Sequence, residues 1–191
     1  LKQAFTKSCN NIYALLALDM GDAALRKTAE GFGFNANFLF RDFVVENSAY
    51  PTGTRSRFEV AMSGFGQSSI GATPMHLCLV AAAIANDGVM MEPTLLRQAT
   101  TPTGALRDEF GPKVYRTALS ADTAAMLQNY MRAVVTGGTG SRASVDGLTI
   151  CGKTGSAESS RKGRDVTHGL FIGYIDSDEL PYAVCVVVED I

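Results

Sequence analysis

Two short runs of polar residues carry side chains that could do chemistry in this chain. Lys153-Thr154-Gly155 stands at the end of an apolar run, and Ser8-Cys9-Asn10 stands near the start. A lysine ammonium supplies positive charge for a substrate carboxylate, and a neighbouring threonine hydroxyl can donate a hydrogen bond to the same group. Glycine at the third position lets the backbone of a substrate approach a strand closely. The pattern indicates acyl transfer with a grip on a terminal carboxylate.

Several motifs occur in the order found in a known family. In active-site-serine enzymes of the penicillin-recognising kind, an S-x-x-K nucleophile motif, an S-x-N motif and a K-T-G strand converge on one cleft. The chain resembles the C-terminal part of a class B penicillin-binding protein, a peptidoglycan transpeptidase. The resemblance covers nearly the whole chain, through residues 8–21, 64–93 with G-Q-x-x-x-x-A-T-P, 134–143 with G-T-G, and 151–190.

The resemblance implies a role for each residue of the two motifs. Ser8 would pass a proton between a lysine-serine pair and the leaving amine, and Asn10 would hold the backbone amide of the substrate. The backbone N–H of Ser156 would be one donor to the oxyanion. We therefore expect as catalytic residues Ser8, Lys153 and Ser156, and as substrate-binding residues Asn10, Thr154 and Gly155. No cofactor and no metal ion are implied.

The nucleophile motif has no counterpart at the place where the family carries it. In the family it lies well upstream of S-x-N, whereas only seven residues precede Ser8 here. We expect the chain to be a C-terminal fragment that is catalytically incomplete, because the second oxyanion donor would be absent together with the serine. Family members also usually add a final helix after the last strand.

Composition favours one soluble globular domain. The chain has 191 residues, of which 46% are apolar and 19% charged, and its net charge of -2 gives no field for nucleic acid. The longest apolar run, residues 77–85, is far shorter than the roughly 20 residues of a membrane span. Two histidines and four cysteines without a C-x-x-C pair disfavour structural zinc. We expect free thiols at Cys9, Cys78, Cys151 and Cys185.

Capping residues and apolar spacing predict four helices in the first part of the chain. Ser8 would cap a helix to about Asp19 that Gly21 stops, Thr73-Pro74 would start another, and Ser120 would cap a third that ends at Gly137. A short helix is expected over residues 22–30. Residues 32–66 are expected to be irregular, 90–98 extended, and 102–115 a hairpin or loop.

Short apolar segments between polar turns predict an antiparallel sheet in the last part of the chain. These segments are residues 148–154, 169–175 and 182–188, with a polar turn at 156–167. The predicted fold is α+β, of the β-lactamase/transpeptidase type, with a mainly helical part over 1–140 and strands over 141–191. Of the family's five strands, about three would be present. The last strand would be an open edge, which favours dimerisation or strand exchange.

Four features of the sequence offer rival interpretations. Residues 147–154 fit G-x-x-x-x-G-K-T, the phosphate-binding loop of nucleotide hydrolases, but no helix is expected after the lysine. Residues 159–162 spell S-x-x-K in what looks like a solvated turn after K-T-G. His168 is interpreted as a residue at the start of a strand rather than a base. The segment Gly64-Phe65-Gly66-Gln67, which leads to Thr73-Pro74, either lines the cleft or forms a tight turn before a helix.

The resemblance makes a peptidoglycan D,D-transpeptidase the expected parent enzyme. Its partners would be the D-Ala-D-Ala stem peptide of peptidoglycan, β-lactams, and proteins of the division or elongation machinery. An anchor outside this chain would hold it on the outer face of the bacterial membrane. A β-lactamase or β-lactam sensor domain shares the motifs, and a non-catalytic interaction module is the alternative from another class.

Overall fold

The computed structural model describes residues 1–37, 46–161 and 163–191. Its helices are α1 (Lys2–Thr6), α2 (Asn10–Met20), α3 (Asp22–Gly31), α4 (Arg57–Ser63), α5 (Pro74–Ala85) and α6 (Ala121–Gly137), with a 3-10 turn at Ser141–Ala143. The strands are β1 (Val89–Met91), β2 (Gln98–Thr100), β3 (Leu106–Glu109), β4 (Val114–Thr117), β5 (Ile150–Arg161), β6 (Arg164–Ile175) and β7 (Ala183–Val188). No helix within the described ranges combines the length and the apolar character that crossing a membrane requires.

The main sheet has the antiparallel order β5-β6-β7. Helix α5 packs on β6 and β7, and α6 packs on β5. The core between helices and sheet contains Ile84, Met131, Cys151 and Tyr174, all of them buried. Two small antiparallel pairs, β1-β4 and β2-β3, form a separate excursion between α5 and α6. This packing fixes β5, the strand that carries the K-T-G motif, against the helical part of the chain.

Local capping chemistry correctly predicts where two helices begin. The Thr73 hydroxyl accepts a hydrogen bond from the N–H of His76, and Pro74 is the first residue of α5. The Ser120 hydroxyl accepts from the N–H of Thr123 at the start of α6. Helix α3 begins at Asp22 as predicted. The expected arrangement of helices followed by an antiparallel sheet is confirmed.

The prediction that Ser8 caps a helix is wrong. Helix α1 ends just before it, α2 begins at Asn10 with Cys9 as its cap residue, and no side-chain cap is formed. Residues 32–66 are also not irregular throughout, because α4 lies within them, although residues 38–45 of that segment fall outside the described ranges. The start of α4 is a capping box in which the Ser56 and Glu59 side chains each bind the other's backbone N–H.

The polar turn predicted over 156–167 is mostly strand. β5 and β6 pair without interruption from Ile150 opposite Ile175 to Arg161 opposite Arg164. The resulting hairpin extends well beyond the apolar segments because cross-strand backbone hydrogen bonds continue where the side chains have become polar. At the other side of the sheet, β7 pairs with β6 alone among the described strands, and Val184, Val186 and Val188 are exposed. Dimerisation through this edge stays a prediction.

Gly64 lies where α4 meets α2, the helix that follows the S-x-N motif. A Cβ at this position would lie 2.2 Å from the carbonyl oxygen of Tyr13 and 2.7 Å from the Cβ of Ala17. We expect Gly64→Ala to destabilise the protein by about 1–3 kcal/mol, because α2 must move away, and to lower the melting temperature. Gly31→Ala is the control, since no described atom lies within 4 Å of its added Cβ. Equal melting temperatures for the two variants would contradict this steric account.

Candidate active site

The S-x-N motif sits in the tight turn between α1 and α2. The Ser8 N–H donates to the Phe5 carbonyl at 3.1 Å, and the Cys9 N–H donates to the Ala4 carbonyl at 2.9 Å. These bonds hold Ser8 at φ 53°, in the left-handed region that a serine seldom occupies. Strained backbone of this kind is concentrated at functional sites, where the surrounding structure maintains it. Asn10 follows as the exposed first residue of α2.

Lys153 joins this turn to the sheet. Its ammonium donates to the Ser8 hydroxyl at 2.9 Å and to its neighbour's carbonyl, that of Thr154, at 2.7 Å. It also lies 5.8 Å from the centroid of the Phe5 ring, which adds a cation–π contact. The two predicted motifs, 145 positions apart along the chain, therefore meet through a direct hydrogen bond.

The charge of Lys153 has no carboxylate partner among the described residues. The residue is half-buried, and burial lowers the pKa of its ammonium from the ordinary value. A desolvated cation that is satisfied only by neutral oxygens can gain free energy from an anionic ligand. The arrangement can therefore attract a carboxylate.

The outer edge of β5 faces away from β6. The Thr154 carbonyl points to Lys153, and the Ser156 carbonyl accepts from the Gln67 side-chain amide at 3.3 Å. Since N–H and C=O of one residue point to the same side of an antiparallel strand, the Ser156 N–H lies on this outer edge as well. The edge can thus offer a backbone donor beside the lysine. Gln67 shows that the glycine-rich segment before α5 reaches the strand, which the sequence left open.

Glycines on β5 differ in why they are needed. A Cβ at Gly152 would lie 2.3 Å from the Phe171 ring, so that packing alone requires glycine there. A Cβ at Gly155 would meet only the Cβ of Leu170, at an ordinary 3.5 Å. The described packing does not demand glycine at Gly155, so the strand is open there to close approach by the backbone of a ligand.

Thr139 is a further residue at the site that the sequence did not single out. Its hydroxyl lies 2.6 Å from the Thr154 hydroxyl. The G-T-G segment contributed to the resemblance only as a string of residues. Nothing in its local pattern indicates which strand the threonine meets, because the contact depends on how α6 ends against the turn after α1.

The rival interpretations fail on the structure. The lysine of the G-x-x-x-x-G-K-T pattern lies within strand β5, which continues to Arg161 instead of opening a helix. Ser159 of the second S-x-x-K also lies in β5 and hydrogen-bonds Nε2 of His168 at 2.9 Å, whereas Lys162 falls outside the described residues. The Asp190 N–H lies 3.4 Å from Nδ1 of His168, so both ring nitrogens have a hydrogen-bond partner within the strands and their flanks.

The cysteines of the chain carry no disulfide. All four cysteines are free thiols, and burial raises the pKa of Cys151 and Cys78. Within the described ranges, no three residues of the types histidine, cysteine, aspartate and glutamate are placed to hold a metal ion together. The described groups that meet at the candidate site are the Lys153 ammonium, the hydroxyls of Ser8, Thr139 and Thr154, and the backbone of β5.

Comparisons with known protein sequences match the whole chain. The family described as the penicillin binding protein transpeptidase domain matches residues 1–191. Peptidoglycan D,D-transpeptidase PbpA of Mycolicibacterium smegmatis is 32% identical over 192 residues, which cover 100% of this chain and 38% of that protein. Penicillin-binding protein 3 of Bacillus subtilis is 26% identical and covers 100% of this chain and 28% of that protein. The chain thus spans less than half of either relative.

Solved structures give the same result. The D,D-transpeptidase domain of a peptidoglycan glycosyltransferase from Eggerthella lenta has a TM-score of 0.91 and 29% identity, covering 100% of this chain and 48% of that chain. Penicillin-binding protein A from M. tuberculosis, solved as an imipenem acyl-enzyme complex, has a TM-score of 0.88 and 28% identity. The match covers 100% of this chain and 42% of that chain. The fold class expected from the sequence is confirmed.

Proposed function

The chain belongs to the penicillin-binding protein transpeptidase domain family, and we propose that it supplies two of the three motifs of a peptidoglycan D,D-transpeptidase site. The observation that carries the proposal is the 2.9 Å hydrogen bond from Lys153 to Ser8, which joins K-T-G to S-x-N. The reaction is acyl transfer from a D-Ala-D-Ala stem peptide to an amine. The only S-x-x-K in the 191 residues follows K-T-G, so we propose that the nucleophilic serine comes from sequence outside them.

Binding of the donor peptide places its terminal carboxylate beside Lys153 and Thr154. The ammonium neutralises the carboxylate, and the threonine hydroxyl donates a charge-assisted hydrogen bond to it. Asn10 holds a backbone amide of the peptide, and Gly155 leaves room for the peptide to lie along β5. This binding turns the scissile amide toward the turn that carries Ser8.

Proton transfer then runs through Ser8. The serine nucleophile attacks the carbonyl carbon and gives its proton to the lysine of its S-x-x-K motif, and that lysine returns the proton to Ser8 once Ser8 has protonated the leaving amine. The carbonyl oxygen becomes an oxyanion that accepts from the outward N–H of Ser156. Because Lys153 already donates to the Ser8 oxygen, the Ser8 hydrogen is available for the leaving amine nitrogen. The C–N bond breaks, D-alanine departs, and the acyl-enzyme waits for the acceptor amine.

Binding of β-lactams follows from the same geometry. Penicillin-binding protein A from M. tuberculosis has been solved as acyl-enzyme complexes with imipenem and with penicillin G. We propose that the complete protein is acylated in the same way, because a β-lactam also presents a carboxylate next to an acyl carbon. We place this activity on the outer face of the cell membrane, where peptidoglycan is cross-linked.

A fluorescent penicillin tests the proposal. We expect the complete protein to form a stoichiometric covalent adduct, detected by intact mass, and the 191-residue chain alone to form none. Peptide mapping should place the label on a serine of an S-x-x-K motif outside this chain. Absence of an adduct on the complete protein would contradict the transpeptidase proposal and favour a non-catalytic module. An adduct that is hydrolysed within seconds would indicate a β-lactamase instead.

A further inference from the structure

Thr139 is held rigidly at the end of α6. The N–H groups of Gly138 and Gly140 both donate to the Val134 carbonyl, at 3.0 and 3.1 Å, and the N–H of Thr139 donates to the Thr6 carbonyl at 3.3 Å. A Cβ at Gly138 would lie 2.5 Å from the same Thr6 carbonyl, so the turn cannot relax toward α1. The side chain is therefore aimed by a backbone that is fixed on both sides, although the residue itself is exposed.

The hydroxyls of Thr139 and Thr154 lie 2.6 Å apart and share one hydrogen bond, in which either hydroxyl can be the donor. A hydroxyl has a single hydrogen to donate and can accept at its oxygen. If Thr154 donated to Thr139, it would have no hydrogen left for a ligand. If Thr139 donates, the Thr154 hydrogen is free to donate to an anion that binds beside Lys153.

We propose that Thr139 is a positioning residue that donates to Thr154 and thereby commits the Thr154 hydrogen to the substrate carboxylate. A carboxylate only accepts hydrogen bonds, so its arrival fixes the direction of the whole chain from Thr139 through Thr154 to the ligand. This inference rests on the proposed function, since it needs a carboxylate at Thr154. Thr139 acts through Thr154 and does not contact the ligand itself.

The test is a double-mutant cycle on the complete protein, with penicillin acylation resolved into a dissociation constant for the first complex and a rate constant for acylation. We expect Thr139→Val, which keeps the shape and removes the hydroxyl, to raise the dissociation constant about threefold to tenfold. The acylation rate constant should stay unchanged. Thr139→Ser, which keeps the hydroxyl, should bind within about twofold of the unsubstituted protein.

The background variant Thr154→Val separates positioning from direct contact. In that background Thr139→Val should cause no further loss, because its only partner no longer offers a hydroxyl. An additive loss would overturn the inference and make Thr139 a direct ligand of the carboxylate. A fall in the acylation rate constant, or a Thr139→Val variant that binds like the unsubstituted protein, would also overturn it. If the unsubstituted protein takes no penicillin, the proposed function itself fails.

Discussion

Replacing Lys153 by glutamine in the complete protein is expected to lower the second-order rate constant of acylation by penicillin by about 10² to 10³. Glutamine keeps a hydrogen-bond donor on a side chain one atom shorter than that of lysine, and it carries no charge. The half-buried ammonium has no carboxylate partner among the described residues, so its charge is available to attract the carboxylate of a ligand. Stopped-flow measurement with a fluorescent penicillin gives the rate constant directly.

The dependence of this rate on pH gives a second, independent readout of the same lysine. Burial lowers the pKa of Lys153, and only the protonated form attracts a carboxylate. The contribution of Lys153 to the acylation rate should therefore be fully present below that lowered pKa. The rate should decline as the pH rises through it. Lys153→Arg is the control, because a guanidinium stays charged and should move the decline to higher pH. A profile shared by both proteins would assign the decline to another group.

Motif chemistry and local capping explain why much of this architecture could be predicted. Thr73 and Ser120 mark helix starts because their hydroxyls satisfy nearby backbone N–H groups, a contact that lies within four residues along the chain. The meeting of Ser8 with Lys153 was expected only from the order of the motifs, since no local pattern brings positions so far apart together. The structure supplies the distance and the direction of that hydrogen bond.

Predictions failed where tertiary contacts override the local pattern. Ser8 was predicted to cap a helix, but α1 ends just before it and the chain makes a left-handed turn at Ser8. Its hydroxyl therefore bonds Lys153 and no helix N–H. The polar half of the β5-β6 hairpin lacks apolar alternation, and only pairing with the opposite strand makes it extended. Thr139 and Gln67 meet β5 from distant segments, so their places at the site could not be inferred from neighbours in sequence.

The capping box at α4 was visible in the sequence as Ser56 followed three residues later by Glu59, the usual sign of a helix start. What holds α4 in place was not visible. Arg55, just before the box, has a side chain only 3% exposed, and it bonds the Ser63 hydroxyl and the Glu59 carbonyl on α4. Its Nη1 bonds the carboxylate of Asp22 at 3.0 Å. A partly buried ion pair thus connects α3 to α4, the helix on which α2 rests.

Asp22→Asn is expected to destabilise the protein by about 3 kcal/mol, because it leaves the buried charge of Arg55 without a carboxylate. Asp22 also accepts from the Tyr50 hydroxyl at 3.0 Å and from Arg26 at 2.8 Å. Burial alone would raise the pKa of Asp22, but the hydrogen bonds from Arg55 and Tyr50 outweigh it and hold the pKa below its usual range. Urea unfolding followed by circular dichroism measures the loss of stability.

The matched control is Asp19→Asn, the same chemical change at an exposed position near the end of α2, which should alter stability by less than about 0.5 kcal/mol. A carboxyl with a lowered pKa contributes stability above its unfolded pKa and loses it as the pH falls through the folded one. The unsubstituted protein and Asp19→Asn should therefore weaken more steeply in acid than Asp22→Asn, which has no such group to protonate. If Asp22→Asn costs no more than Asp19→Asn at neutral pH, the ion pair does not hold α3 and α4 together, and the support of the S-x-N turn must come from the contact of Gly64 with α2.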